Sequence, residues 1–122
     1  MGGRITTHVL SLSSGKPAVG VTIELWRLPE SMELGATLQA ASVTNGDGRL
    51  DAPIAEGEAL IPGEYELVFD IGEYFRGEGK GQDCSELFFE RIPIRFRVGS
   101  GGEHYHIPLL VAPGGYSTYR GS

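Results

Sequence analysis

Cysteine is nearly absent from this sequence, which contains only Cys84 among its 122 residues. A single cysteine excludes an intrachain disulfide. The neighbouring segment, residues 81–86, is acidic rather than cationic, and such surroundings do not favour a reactive thiolate. Cys84 is therefore predicted to be a spectator and not a nucleophile.

Long hydrophobic runs and an excess of positive charge are also missing. No apolar run approaches the roughly 18 residues of a membrane-spanning helix, and the N-terminus lacks the apolar core of a signal peptide. We therefore expect a cytoplasmic protein without a membrane partner. The 10 basic residues against 16 acidic ones give a formal charge of -6 at pH 7. This charge would repel phosphates, so no nucleic-acid partner is expected.

Glycine is abundant instead, with 19 residues, and 7 prolines accompany it. This composition indicates many tight turns and little long helix. The length fits one domain, since domains most often contain about 100–150 residues. No linker, repeat or low-complexity segment divides the chain, and residues 1–122 are predicted to form a single domain.

Period-two alternation of apolar and polar residues recurs along the chain, most clearly in residues 91–98. Such alternation indicates strands with one buried and one solvated face. The other predicted strands lie at or near residues 5–10, 21–26, Leu38–Val43, Arg49–Asp51, 65–70, Glu103–Val111 and Gly115–Arg120. One short helix is predicted over Ile71–Arg76. About eight short strands separated by turn residues are typical of an antiparallel β-sandwich.

The three histidines are candidates for chemistry, because an unperturbed imidazole titrates near neutrality. His104 and His106 are two residues apart in a predicted strand, so both project from one face. His8 is predicted on the outward face of the first strand, opposite the core face of Ile5 and Val9. If these strands pair in one sheet, their shared outward face is too apolar for solvent and too polar for a core. Such a face fits a binding surface or a subunit interface.

Two other interpretations of these residues stay open from spacing alone. The histidines are also compatible with ordinary half-exposed surface positions, and Arg49 with a solvated strand end after the turn at residues 45–48. A His-x-His pair with a third histidine is also a known zinc ligand set. No carboxylate or cysteine stands at a recognisable ligand spacing nearby, so zinc is not favoured.

The C-terminal stretch gives a more specific indication. Residues 104–110, followed by residues 115–122, resemble the C-terminal signature of the 5-hydroxyisourate hydrolases, also called transthyretin-related proteins. The terminal Tyr-Arg-Gly-Ser is the most specific part, because transthyretin itself lacks it. Residues 5–10 (Ile-Thr-Thr-His-Val-Leu) and 45–49 (Asn-Gly-Asp-Gly-Arg) also match. The resemblance covers the whole chain.

The resemblance implies an all-β, transthyretin-like (prealbumin-like) antiparallel sandwich. It also implies hydrolysis of 5-hydroxyisourate to 2-oxo-4-hydroxy-4-carboxy-5-ureidoimidazoline in urate degradation, without metal or other cofactor. The implied assembly is a homotetramer, a dimer of dimers with active sites in a channel between the dimers. The implied catalytic residues are His8, Arg49, His106 and Ser122. The implied substrate-binding residues are Ser117, Tyr119, Arg120 and Gly121.

Two departures from the family pattern are present. Ser11 stands where the family usually has Asp, and Gly114 where a Tyr usually follows proline. The lost aromatic side chain is expected to loosen the channel wall or change the dimer contact. Neither residue belongs to the implied catalytic set, so we expect effects on stability more than on chemistry.

Two rival functions follow from the same fold. A transthyretin-like carrier would bind small hydrophobic ligands in the channel, but His8 and the C-terminal tetrapeptide add polar groups that such a channel does not favour. A structural sandwich module of a surface protein is the second rival. That kind of module usually belongs to a longer secreted chain, whereas a signal segment is not evident here.

Overall fold

The computed structural model describes residues 2–30, 35–78 and 87–121. Within these ranges the chain forms nine strands and one helix. They are β1 (Gly3–Ser11), β2 (Lys16–Pro17), β3 (Thr22–Arg27), β4 (Thr37–Val43), β5 (Ala55–Gly57), β6 (Gly63–Asp70), α1 (Ile71–Glu78), β7 (Arg91–Val98), β8 (His104–Ala112) and β9 (Gly115–Thr118). The prediction for Cys84 lies outside the described residues.

The strands form two sheets, and the predicted sandwich is confirmed. The first sheet has the order β2-β1-β8-β9, with β5 also paired to β1, and the second has the order β4-β3-β6-β7. One pair differs from the predicted antiparallel arrangement, because β1 and β8 run parallel. These strands come from opposite ends of the chain, and a parallel pair requires a long crossover connection, which the second sheet supplies here.

Alternating side chains from both sheets form the core. Ile5, Leu25, Leu67 and Leu109 are fully buried, and each such side chain contributes about 1.5–3 kcal/mol of stability. Thr7 is a buried polar residue beside them, and it donates its hydroxyl proton to the Ile107 carbonyl at 2.6 Å. Because burial alternates along β1 and β8, the intervening side chains project from the outer face of the first sheet.

The predicted strand at Arg49–Asp51 is wrong. Arg49 forms only an isolated bridge with His8, and the nearest strand, β5, begins further along the chain. The reason lies in Asn45, whose Oδ1 accepts a hydrogen bond from the Arg49 amide at 3.2 Å. The Asn45 amide in turn donates to the Arg49 carbonyl at 2.7 Å. Both backbone groups of Arg49 are thus held by a turn and are not available to a strand ladder.

The predicted helix is confirmed and extends to Glu78. It begins after Asp70, whose Oδ1 accepts a hydrogen bond from the Glu73 amide at 3.3 Å and caps the first turn. No helix among the residues that the structure describes is long and apolar enough to cross a membrane.

Candidate active site

Two adjacent strands present His8 and His106 on the outer face of the first sheet. The parallel register places Thr6 opposite His106 and His8 opposite Pro108, so the two histidines are diagonal neighbours. Thr7, between Thr6 and His8, points into the core and is 2% exposed, which fixes the outward direction of its neighbours. The predicted outward face of both histidines is confirmed.

Arg49 reaches this face from the turn at residues 45–48. The turn docks on β1 through a hydrogen bond from the Val9 amide to the Gly48 carbonyl at 2.8 Å. Gly48 has a φ of 72°, and a Cβ at this position would lie 2.5 Å from the Val9 carbonyl oxygen. Only glycine fits both the backbone conformation and the close approach. The docked turn places the next residue, Arg49, in a bridge with His8.

The surroundings of both imidazoles favour their neutral forms. Burial lowers the pKa of His8, and the Arg49 charge lowers it further, against the opposing effects of the backbone carbonyl and carboxylate of Asp47. Burial is also the largest cause of the lowered pKa of His106, and the charge of Arg49 and then the two other histidines lower it further. Each ring therefore has an unprotonated nitrogen at pH 7 that is able to accept a proton or a hydrogen bond.

Thr6 connects the two histidines of β8. Its hydroxyl oxygen lies 2.6 Å from His104 Nε2 and 2.8 Å from His106 Nδ1. The far nitrogen of His104, Nδ1, lies 3.4 Å from an Arg4 guanidinium nitrogen. Burial lowers the pKa of His104, and the charges of Arg4 and Arg120 add to the effect. A continuous polar row thus runs from Arg4 to His106.

A cleft of about 320 Å³ opens beside this row. Thr6, His104 and His106 line it from the strands, and Arg49 with residues 50–53 lines it from the loop. Its volume suits a small molecule. Neutral imidazoles beside a guanidinium are able to move a proton and to stabilise negative charge on an oxygen atom. Across the described parts of the chain, no three His, Cys, Asp or Glu side chains are grouped to hold a metal ion.

Comparison with known proteins places this geometry in a family. The model of the HIUase/Transthyretin family matches residues 5–121. A 5-hydroxyisourate hydrolase of Halalkalibacterium halodurans is 52% identical over 122 residues, which are 100% of both chains. The chain belongs to the HIUase/Transthyretin family.

Solved structures agree with this membership. The structure of Klebsiella pneumoniae 5-hydroxyisourate hydrolase matches with a TM-score of 0.79 and 39% identity, over 98% of this chain and 99% of that one. The crystal structure of an (S)-allantoin synthase matches with a TM-score of 0.86 and 43% identity. The match covers 98% of this chain but 44% of the synthase.

The C-terminal tail of this family member passes close to His106. The Gly121 amide donates to the His106 carbonyl at 2.7 Å, and the two residues form an isolated bridge. A Cβ on Gly121 would lie 2.6 Å from His106 Cδ2, so the tail approaches the ring this closely only with glycine. Ser122, the fourth implied catalytic residue, lies outside the described residues.

The other residues that the resemblance implies for substrate binding lie elsewhere. The Arg120 guanidinium stacks 4.8 Å from the Tyr105 ring centroid and donates to a Glu103 carboxylate oxygen at 3.3 Å. Tyr119 is 60% exposed and lines a separate cavity of about 240 Å³ beside β7. Ser117 is exposed on β9. Within the described chain, these three side chains do not line the cleft of the imidazoles.

Thr6 is the site residue that sequence reasoning missed, and His104 received no functional assignment. Thr6 has the outward parity of His8, but its position opposite His106 depends on a strand pairing that alternation does not reveal. Neither family departure lines the cleft. Ser11 is buried, with its hydroxyl 3.2 Å from the Ser13 hydroxyl, and a Cβ on Gly114 would meet no atom within 4 Å.

Proposed function

We propose that this chain hydrolyses 5-hydroxyisourate to 2-oxo-4-hydroxy-4-carboxy-5-ureidoimidazoline, a step of urate degradation. The reacting groups are His8, Arg49 and His106. The observation that carries the proposal is that these two neutral imidazoles share one outer sheet face, next to the Arg49 guanidinium. The identity of 52% to a named 5-hydroxyisourate hydrolase, over the full length of both chains, supports it.

The reaction is the hydrolysis of a ring amide. A water molecule loses a proton as its oxygen attacks the scissile carbonyl carbon, the carbon–nitrogen bond then breaks, and the leaving ring nitrogen gains a proton. Because His8 and His106 are neutral at pH 7, either ring is able to accept the proton from water, and the imidazolium so formed is able to donate it to the leaving nitrogen. General acid–base catalysis of this kind typically accelerates a step about 10²- to 10⁴-fold.

Arg49 binds the substrate and stabilises the developing oxyanion. Its guanidinium offers a planar, cationic set of donors, which suits an anionic, carbonyl-rich ring. The Gly48 turn that docks on β1 holds the Arg49 backbone beside His8. This support keeps the cation in place before the transition state forms.

The C-terminal tail completes the proposed site. Gly121 contacts His106, and we propose that the next residue, Ser122, helps to orient the substrate or a histidine. Ser117 and Tyr119 are proposed to contact the substrate in the assembled protein. Arg120 is proposed to help by anchoring the tail, because its guanidinium is held by Tyr105 and Glu103.

We also propose a homotetramer, a dimer of dimers that encloses the site face in a channel. The support is an outer face that combines the half-buried Leu10 and Leu110 with the histidines. A symmetric assembly covers such apolar area while it leaves the polar groups accessible to a small substrate. A hydrophobic-ligand carrier is less well supported, because burying an apolar ligand here would leave the imidazoles and Arg49 without polar partners.

The experiment is an ultraviolet absorbance assay of freshly prepared 5-hydroxyisourate with and without the protein. The wild type is expected to accelerate the decay, whereas His106→Asn and Arg49→Ala are expected to lose at least about 10²-fold in kcat/KM. Arg97→Ala is the matched control, since that side chain is 72% exposed and pairs with Glu64 on the other sheet. Wild-type turnover in the His106 and Arg49 variants would contradict the assignment of these two residues as reacting groups.

The same assay tests the requirement for a metal. We expect hydrolysis to persist in a chelator, because Thr6 already occupies the facing nitrogens of His104 and His106 that a zinc ion would need. Activity that is lost with the chelator and restored by zinc would overturn this expectation.

A further inference from the structure

We propose that Thr6 and His104 are positioning residues that fix the tautomer of His106 and thereby divide the roles of the two imidazoles. In this division, His106 is a hydrogen-bond donor to the substrate carbonyl, and His8 is the group that takes up and returns the proton. The inference rests on the proposed hydrolysis and makes its mechanism more specific.

The first step is the geometry at Thr6. The distances of 2.6 Å to His104 Nε2 and 2.8 Å to His106 Nδ1 are those of two good hydrogen bonds. A hydroxyl group has one proton and two lone pairs, so it donates to at most one of the two rings. Among the described residues the two ring nitrogens are its only hydrogen-bond partners, so the arrangement that uses its proton has one facing nitrogen protonated and the other not.

Arg4 sets the donor-to-acceptor direction of the hydrogen bonds that connect His104, Thr6 and His106. A guanidinium donates hydrogen bonds and accepts none, and an Arg4 nitrogen lies 3.4 Å from His104 Nδ1. His104 Nδ1 is therefore the acceptor, and the proton of a neutral His104 is on Nε2. Thr6 accepts that proton's hydrogen bond and donates its own to His106 Nδ1. The proton of a neutral His106 is consequently on Nε2, the ring nitrogen that does not face Thr6.

We call the row of Arg4, His104, Thr6 and His106 the relay. Adding a proton to His106 Nδ1 would reverse both Thr6 hydrogen bonds and turn an N–H of His104 toward the Arg4 cation. The relay thus opposes both the charged form and the other tautomer of His106. The residues of the relay come from the two strands of the parallel pair, which places their side chains in adjacent rows.

His8 has the complementary arrangement. The backbone carbonyl of Asp47 accepts a hydrogen bond from the His8 ring, so one ring nitrogen of neutral His8 is the donor and the other keeps its lone pair. Asp47 belongs to the turn that also delivers Arg49, and one loop therefore orients the base and supplies the cation.

The assigned roles give a balanced reaction. His8 takes a proton from water as the water oxygen bonds to the carbonyl carbon, and the new oxyanion accepts hydrogen bonds from His106 Nε2–H and Arg49. The carbon–nitrogen bond then breaks, and the proton on His8 passes to the leaving nitrogen. His106 keeps its proton throughout. The N–H of a neutral imidazole stabilises the developing oxyanion as a hydrogen-bond donor, without transfer of its proton.

The first test is a two-bond proton–nitrogen correlation spectrum of the protein labelled with nitrogen-15, at a pH above neutrality. With only three histidines in the chain, single His→Gln variants assign the signals. We expect His106 to show a protonated Nε2 and an unprotonated Nδ1, and His104 likewise. A protonated Nδ1 on His106 would overturn the relay.

The second test is kinetic and uses conservative pairs of variants. Thr6→Val removes the hydroxyl and Thr6→Ser keeps it. His104→Leu removes the donor, whereas the amide of His104→Gln donates from nearly the position of Nε2. We expect the Val and Leu variants to lose roughly 10- to 100-fold in kcat with little change in KM, the range found for residues that orient metal-ligating histidines. The Ser and Gln variants are expected to retain most of the activity.

Thr22→Val on the other sheet controls for the loss of a strand hydroxyl, and circular dichroism checks folding. If Thr6→Val does not fold, His104→Leu tests the relay without a change in β1. Full kcat in both variants would overturn the relay while leaving the proposed function intact. A wild type that does not accelerate decay of 5-hydroxyisourate would reject the proposed function, and the tautomer spectrum would still test the relay independently.

Discussion

Arg49 carries the positive charge that acts on both imidazoles of the proposed site. After burial, it is the next cause of the lowered pKa of His8 and of His106. A nearby cation disfavours an imidazolium, so removal of the charge raises both pKa values toward the ordinary value, while burial keeps them below it. The acid limb of any His-dependent activity then moves to higher pH.

We therefore expect Arg49→Gln to raise the pKa of His8 and His106, measured by following the imidazole proton resonances against pH. Arg97→Gln removes an equal charge from the second sheet and is expected to leave both pKa values unchanged. Unaltered titration in Arg49→Gln would contradict the electrostatic coupling. An equal rise in both variants would point to net charge instead of proximity.

Alternation along the strands predicted the direction of single side chains but not their partners. The outward faces of His8 and His106 follow from parity, because each has core residues on both sides. The hydroxyl of Thr6 meets both β8 histidines only in the folded sheet. Arg120 stacks on Tyr105, and the family motif does not indicate this contact.

At the level of elements, the sequence predicted which segments form strands, but it did not predict how those strands pair. Buried alternating residues predicted β1 and β8, but nothing local specifies that the two ends of the chain pair in parallel. The composition of residues 45–48 also predicted a turn there. Its docking on β1 depends on a long-range hydrogen bond from the Val9 amide to the Gly48 carbonyl. Residues Arg49–Asp51 form a loop and not the expected strand, because both backbone groups of Arg49 bond to Asn45.

The contact between the tail and β8 provides the next prediction. In Gly121→Ala the new Cβ would lie 2.6 Å from His106 Cδ2 and 3.3 Å from Pro108 Cγ, so the tail or the imidazole must move. A displacement of about 1 Å at a reacting group typically costs roughly 100-fold in rate. We expect a loss of that order in kcat/KM with an almost unchanged Tm, because the tail lies outside the core.

Gly114→Ala is the matched control for this substitution. It adds the same methyl group to the same segment, where no atom lies within 4 Å, and its backbone is not in the left-handed region. Activity in this variant is expected to equal that of the wild type. If Gly121→Ala is as active as the control, close contact between tail and ring is not needed for catalysis.

For the whole molecule, the outer face of the first sheet connects folding with assembly. Leu10 lies opposite Leu110, and Leu110 opposite Ser117, so one row crosses β1, β8 and β9. The two leucines are half-buried, and the row adjoins the histidines on the same face. An apolar row next to a polar cleft suits a subunit contact that borders a channel. The side chains on the opposite faces of the same strands are packed in the core.

This arrangement predicts that a charge in the row separates subunits without unfolding them. Leu110→Lys is expected to dissociate the proposed tetramer into smaller species in sedimentation velocity and to lower hydrolysis, because a buried unpaired ammonium group at an interface is costly. Leu38→Lys on β4, where the leucine is 47% exposed, is expected to keep the oligomeric state and the activity of the wild type. Circular dichroism should be alike for both, since neither side chain belongs to the core. A monomeric wild type that hydrolyses 5-hydroxyisourate would show that the site on one chain is sufficient and that the proposed channel plays no part in catalysis.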